Sequence, residues 1–345
     1  MVDEVLAEVA QSFVEYQLEV LGIANLLEDK DVTEICINRP SEVFFESKGG
    51  WHMLAVPTLT FERARAFCTA IVNESKTGQS ITDRTPLVSF TFATGQRAQF
   101  VIPPAVEAGT VSITIRLPST RRFTLDQYSE SGFFARLSEP RAAVSHEDHR
   151  LIALKQEGKF ADFFAGAVAA RKNIVVAGAT GSGKTTFMKA LVDHIPPNER
   201  LVTIEDAREL FLVQPNRVHL LYSRGGQSIA NISAKTCMEA CLRMKPDRIL
   251  LAELRGDESF FFIRNCASGH PGSITSCHAG SAAQAWEQLA LMVKASPEGA
   301  GLEYEVIKHL LRMTIDVMVH VHAHAGKRHI TGIDFSPETV AAGMQ

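Results

Sequence analysis

Four short stretches hold residues whose types and spacing could work together. "GATGSGKT", Gly178 to Thr185, ends in a lysine and a threonine after three glycines. "LVTIEDAREL" closes an apolar run with Glu205 and Asp206, and "DRILLAELRG" does the same with Glu253 after Ile249, Leu250 and Leu251. "GHPGSITSCHAG", residues 269–280, brings His278 to the end of a short apolar segment. A glycine-rich loop between an apolar strand and a helix turns backbone N–H groups inward around phosphate oxygens, and the helix N-terminus adds partial positive charge. Acids and a histidine at the ends of neighbouring strands lie on the same edge of a parallel sheet as such a loop.

The chemistry this suggests is hydrolysis of a nucleotide. Gly178, Ala179, Thr180, Gly181, Ser182, Gly183, Lys184, Thr185 and Thr186 form the cradle. Lys184 bridges the β- and γ-phosphates, and the Thr185 hydroxyl ligates Mg²⁺. Glu253 is the natural carboxylate to hold that ion through water or to polarise the attacking water. Glu205 and Asp206 are the alternative acids, Glu205 also as a metal ligand through water. His278, at a third strand end, is placed to contact the γ-phosphate or its water. No Asn-Lys-x-Asp sequence for reading guanine occurs, which favours ATP over GTP.

Such residues need rigid elements to hold them. Ile174 to Ala177 is an apolar strand entering the loop, and the helix after it carries Phe187, Ala190, Leu191 and His194 on one face and stops before Pro196-Pro197. From about Leu151, strand and helix patterns alternate, as in a parallel sheet covered on both faces. Before that, residues 3–28 have the spacing of an amphipathic helix. "TEICIN", "EVFFES", "WHMLAV", "PLVSFTF", "RAQFVIPP" and "TVSITIRLP" read as short strands, with a helix over "FERARAFCTAIVNES". The fold class is α/β: an N-terminal α+β domain over 1–120, a linker over 121–150, and a P-loop domain with a mainly parallel sheet over 151–345.

Composition bounds the rest. The 345 residues suit two domains, and 46% hydrophobic with 21% charged residues describes a globular chain. A net charge of −4 advertises no nucleic-acid partner, and no aromatic-basic groove is visible. The acidic N-terminal stretch lacks the basic start of a signal peptide, so a cytoplasmic location is expected, with room for contact against a membrane. Six scattered cysteines without a CxxC read as reduced thiols. A metal site from Cys266, His270, Cys277 and His278 is disfavoured because Cys277 and His278 point to opposite faces of one strand. "VMVHVHAHAGKRH" sets His320, His322 and His324 on one strand face and reads as a solvated hairpin.

The order of "GATGSGKT", "TIEDAREL", "RMKPDRILLAELRG" and "GHPGSITSCHAG" resembles the secretion ATPase superfamily, in which these are the Walker A, Asp box, Walker B and His box. "DVTEICINRPSEVFFE", "GQRAQFVIPP" and "SITIRLPS" resemble the N-terminal domain of the traffic ATPases of type IV secretion and conjugation systems. Ala252 and Ser276 stand where that family usually has glycine and threonine. The resemblance implies a RecA-like ATPase domain. It also implies a homohexameric ring with nucleotide between the two domains, and inner-membrane partners from the secretion apparatus. Arg116 in "SITIRLP" resembles the arginine that reaches the phosphates from the N-terminal domain, with Arg97 and Arg122 as weaker candidates. Arg243, Lys245, Arg248 and Arg255 flank the Walker B strand, and one of them could act across a subunit interface. A type II secretion or pilus motor, a RecA-like nucleic-acid motor and a non-hydrolysing nucleotide switch are the competing readings.

Overall fold

The computed structural model describes residues 13–74, 78–118, 122–135, 144–223 and 229–343. Two sheets organise them. The first is antiparallel, with β1 (Glu34–Arg39), β2 (Glu42–Ser47), β3 (Gly50–Ala55), β4 (Leu87–Thr91), β5 (Arg97–Val101) and β6 (Ser112–Arg116) in the order β3-β2-β1-β6-β5-β4. The helix Phe61–Glu74 buries Ala64, Phe67, Cys68, Ile71 and Val72 against it. The N-terminal amphipathic pattern is helical over 13–20 and Ala24–Glu28; its beginning, with Val5, Leu6 and Val9, lies outside the described residues.

The second sheet has seven strands: β7 (Ile174–Ala177), β8 (Leu201–Glu205), β9 (Arg217–Leu221), β10 (Arg248–Leu254), β11 (Ile274–Cys277), β12 (Val317–His324) and β13 (Lys327–Phe335). Their order is β13-β12-β7-β11-β10-β8-β9, parallel except for the β12–β13 hairpin. Side chains alternate between two cores. Val175, Ala177, Ile249 and Leu251 join one, while Ile174, Val176 and Leu250 join the other. Burial on both faces is why these strands read as continuous apolar runs instead of alternating ones. Val144, Leu151 and Ile152 already belong to this domain's core, so its packing begins before residue 151.

The helix after the glycine-rich loop, Lys184–Val192, buries Met188, Leu191 and Val192. The buried stripe is therefore turned from the face expected through Phe187, Ala190 and His194, although Phe187 still packs edge-on against Phe164.

The antiparallel domain docks on the open edge of β9. Val106 bridges Leu220 in antiparallel fashion, Leu221 N donates to Ala105 O, and Glu107 N donates to His219 O. Near the starts of the parallel strands, fully buried Arg200 donates to Asn38 Oδ1 at 2.8 Å and to Thr114 Oγ1 at 3.3 Å. Trp51 Nε1 donates to Asp247 at 3.1 Å, and Lys245 pairs with Glu46 at 2.7 Å. A sheet edge with unpaired backbone groups is thereby covered by the first domain.

Candidate functional site

The loop after β7 is shaped by what surrounds it. A Cβ on Gly178 would lie 2.4 Å from the carbonyl oxygen of Val321 and 2.5 Å from Ser182 Oγ, so only glycine fits. Gly183 has φ +100° and opens the helix Lys184–Val192, whose first-turn N–H groups face the loop. Lys184 is buried, and its Nζ donates to Gly178 O at 2.9 Å and Ala179 O at 3.2 Å, with His278 Nδ1 at 3.4 Å. Burial pulls its ammonium below the usual lysine range, and the Glu253 carboxylate partly offsets this. A desolvated cation held by neutral oxygens is poised to exchange them for an anion.

His278 extends this contact to the acid. Its Nε2 lies 2.5 Å from Glu253 Oε1, while Nδ1 faces the lysine. Glu253 also pairs through Oε2 with Arg255. The strand geometry explains how Glu253 reaches this position. Pairing between β10 and β11 slips between Leu251 and Leu254, and Ser276 Oγ donates to the Ala252 carbonyl at 2.8 Å. Such a bulge re-aims the side chain beside it. Lys184, His278 and Glu253 thus meet at the ends of β7, β11 and β10.

Glu205 ends β8 on the same edge but is closed. It is fully buried; Oε1 accepts from Thr203 Oγ1 at 2.7 Å, and Oε2 accepts from Glu209 N at 2.8 Å and Leu210 N at 2.7 Å. His219 stands behind, its Nδ1 at 2.8 Å from Thr203 Oγ1 and 3.5 Å from Glu205 Oε1. Burial alone would raise the Glu205 pKa, but the donors from His219, Leu210 N, Thr203 and Glu209 N outweigh it and hold it low. Glu205 is expected to contribute to catalysis or to the metal ion; in this structure its oxygens instead accept hydrogen bonds from Thr203 and from the chain after β8. Asp206, the next residue, is exposed.

Two further expectations change. Arg116 does not reach the cradle of its own chain. It pairs across strands with Glu34 and Arg97, two residues beyond the Thr114 that meets Arg200, at the edge from which β8 and β10 start. The cradle caps the opposite edge, about 15 Å of strand away. Arg97 lies opposite Arg116 on the neighbouring strand, and both Arg97 and Arg122 are exposed. Of the four basic residues around β10, fully buried Arg248 is tied bidentately to Glu199, Lys245 to Glu46, and Arg243 to Ser89 Oγ at 2.5 Å. Arg255 alone of these sits beside the site acid.

Other readings hold. Gly269, at φ +103°, follows the helix Glu258–Ala267, and Ser281 caps Ala282–Ala295 by accepting from Gln284 N. His270 and His278 lie at opposite ends of β11, so they cannot share one ion with Cys277. All six cysteines are buried and free. His322 and His324 are exposed on the hairpin as expected, but His320 is buried, with Nδ1 against Thr331 Oγ1 and Nε2 at 3.3 Å from Ala279 O. Sequence reasoning missed Arg328, whose stem lies on Gly183. Its only sequence signal was its place just past a hairpin turn.

For Mg²⁺, the donors present are hard oxygens: the Thr185 hydroxyl in the helix's first turn and the Glu253 carboxylate, beside a cradle that tolerates no Cβ at Gly178. That set suits a small divalent cation shared with phosphate oxygens.

Comparison with known proteins bears on this arrangement. The type II/IV secretion system protein family matches residues 110–322. The type IV secretion system protein VirB11 of Brucella suis biovar 1 is 47% identical over 322 residues, 92% of this chain and 89% of that protein. The type IV secretion system protein PtlH of Bordetella pertussis is 41% identical over 319 residues, 92% of each chain. The crystal structure of the VirB11 ATPase from the Brucella suis type IV secretion system in complex with sulphate matches with a TM-score of 0.90 at 45% identity, covering 99% of this chain and 100% of that one.

Proposed function

The chain belongs to the type II/IV secretion system protein family, and from that premise we propose that it is the ATP-hydrolysing motor of a type IV secretion apparatus. The observation that carries this reading is the contact chain Lys184–His278–Glu253 across three strand ends at the mouth of a phosphate loop. Phosphate oxygens entering the loop compete for the N–H donors that Lys184 now gives to Gly178, Ala179 and His278. Lys184 then neutralises the β- and γ-phosphates. Glu253 orients the attacking water and accepts its proton. His278, between lysine and acid, links the arrival of the γ-phosphate to the position of the carboxylate. Asp206 is the second acid at this edge. Thr185, with Glu253 through water, would hold Mg²⁺, which would supply charge neutralisation on the phosphates.

Ring assembly and membrane docking belong to the same proposal. A 47%-identical relative is named as a type IV secretion system protein, which supports a place for this chain in such an apparatus; a homohexamer acting on inner-membrane components is the form we propose for it. Among the described residues no helix is long and apolar enough to cross a membrane. The close relatives' names favour the type IV apparatus over type II secretion, pilus motors or nucleic-acid motors. Steady-state ATP hydrolysis by the purified full chain, with and without Mg²⁺, tests the proposal. Turnover that needs Mg²⁺ and vanishes in Lys184→Ala is expected; turnover indifferent to that substitution rules the site out.

A further inference from the structure

We propose that Arg328, on the β12–β13 hairpin, is a second cation of the phosphate cradle, binding the α- and β-phosphates of ADP and ATP alike. This rests on reading the loop as a nucleotide site. β12 pairs with β7 as far as His320 opposite Ala177, then runs on for residues 321–324, about 13 Å past the end of β7. The overhang lies on the loop: Val321 O is the atom that forbids a side chain on Gly178. β13 returns from the turn at Ala325–Gly326, with Arg328 opposite Ala323. A Cβ on Gly183 would lie 2.8 Å from Arg328 Cδ, 3.2 Å from Nε and 3.6 Å from Cζ. The guanidinium therefore begins on the residue just before Lys184. Arg328 is exposed, and among the described residues no carboxylate pairs with it. A guanidinium offers two parallel donors suited to phosphate oxygens.

Strand order decides which phosphates it meets. β7 lies between β12 on one flank and β11, then β10, on the other. His278 and Glu253 come from the β11–β10 flank, where the γ-phosphate and its water belong. Arg328 comes from the opposite flank, over the loop backbone that cradles the α- and β-phosphates. Its contact thus persists after hydrolysis and sets affinity for the nucleotide, not the chemical step.

The test uses the full chain as wild type, Arg328→Met, Arg328→Lys and Lys184→Ala. Methionine keeps an unbranched stem on Gly183 and removes the charge. Affinities are measured for MgADP and a non-hydrolysable MgATP analogue, together with displacement of ADP by magnesium pyrophosphate. Arg328→Met is expected to weaken all three by about tenfold, as for one charged contact at an exposed site, with lysine restoring part of the loss and the melting temperature unchanged. The value of kcat at saturating ATP should stay close to wild type while KM rises. Nucleotide affinity like wild type in Arg328→Met, with Lys184→Ala defective, overturns the proposal and leaves the nucleotide site standing. A loss confined to the ATP analogue, or one absent with pyrophosphate, also overturns it, by assigning Arg328 to the γ-phosphate or to the nucleoside. If Lys184→Ala binds as well as wild type, both readings fall together.

Discussion

Glu205 and Glu253 end two neighbouring parallel strands, each after a run of buried aliphatic residues, and their local sequences resemble each other. Their surroundings are opposite. The Glu205 oxygens are occupied by a hydroxyl and two backbone N–H groups, and His219 behind them leads to the strand on which the N-terminal domain docks. Glu253 sits past a break in strand pairing, against the ring of His278 and the Arg255 guanidinium, within one imidazole of the loop lysine. A carboxylate whose acceptors are satisfied by backbone donors is a structural element, whereas one held by ionisable side chains can change partners during a reaction. We propose that the β8 end serves as a clasp between sheet, following loop and docked domain, and the β10 end as the chemical edge.

Substitutions can break this contrast or sharpen it. The largest effect is expected from Lys184→Ala, which removes the buried cation of the chemical edge and should lower ATP turnover by about 10³-fold or more, with circular dichroism unchanged. Turnover near wild type would mean that the cradle lies elsewhere. Glu253→Gln keeps the shape and loses the basicity. It should bind ATP normally and hydrolyse it about 10²-fold more slowly, read from single-turnover rates beside equilibrium binding.

Glu205→Gln keeps one oxygen for the two backbone N–H groups but turns an NH2 donor toward the Thr203 hydroxyl and His219, so its main cost should be about 1–3 kcal/mol of stability, seen in denaturant melts. The sign with pH is fixed by the lowered pKa of Glu205. Its stabilisation is complete above the unfolded-chain value of about 4.3 and is lost as pH falls through the lower folded value, so wild type and variant should converge in acid.

The effect furthest from the chemistry is expected at the dock. Burial raises the Glu34 pKa to about 7, against the opposing pull of Arg200, Lys245 and Arg116. A folded value above the unfolded one gives stability that is present at low pH and lost as pH rises through about 7. Glu34→Gln should therefore melt like wild type near pH 4 and above it at pH 8. A variant that melts below wild type at pH 8 would show that the ionised form is the stabilising one.

The chemical edge was readable because each of its parts has a local sequence mark: an apolar strand, a glycine loop, a helix that stops before Pro196-Pro197, and polar residues at strand ends. His278 was found that way, and so were the six strands of the first domain. What could not be read depends on distant segments. Nothing near Glu205 signals that Glu209 N and Leu210 N fold back onto it. Arg116 resembles a phosphate ligand until the docking of its domain on β9 carries it to the far edge. Arg248 and Arg200 look like surface cations in the sequence, yet both are fully buried, the first on Glu199 and the second between Asn38, Asn216 and Met244 O. Arg328 was passed over with its hairpin because a solvated strand face gives no sign of the loop beneath it.

The division between the two edges is tested most directly by the rate of ATP hydrolysis per occupied site in Glu205→Gln and Glu253→Gln. Both are assayed at a temperature where both remain folded, with occupancy measured separately. The expected result is a Glu205→Gln rate within a few-fold of wild type and a Glu253→Gln rate about 10²-fold lower. Equal losses in the two variants, or a slower Glu205→Gln, would contradict the assignment of chemistry to the β10 end and of structure to the β8 end.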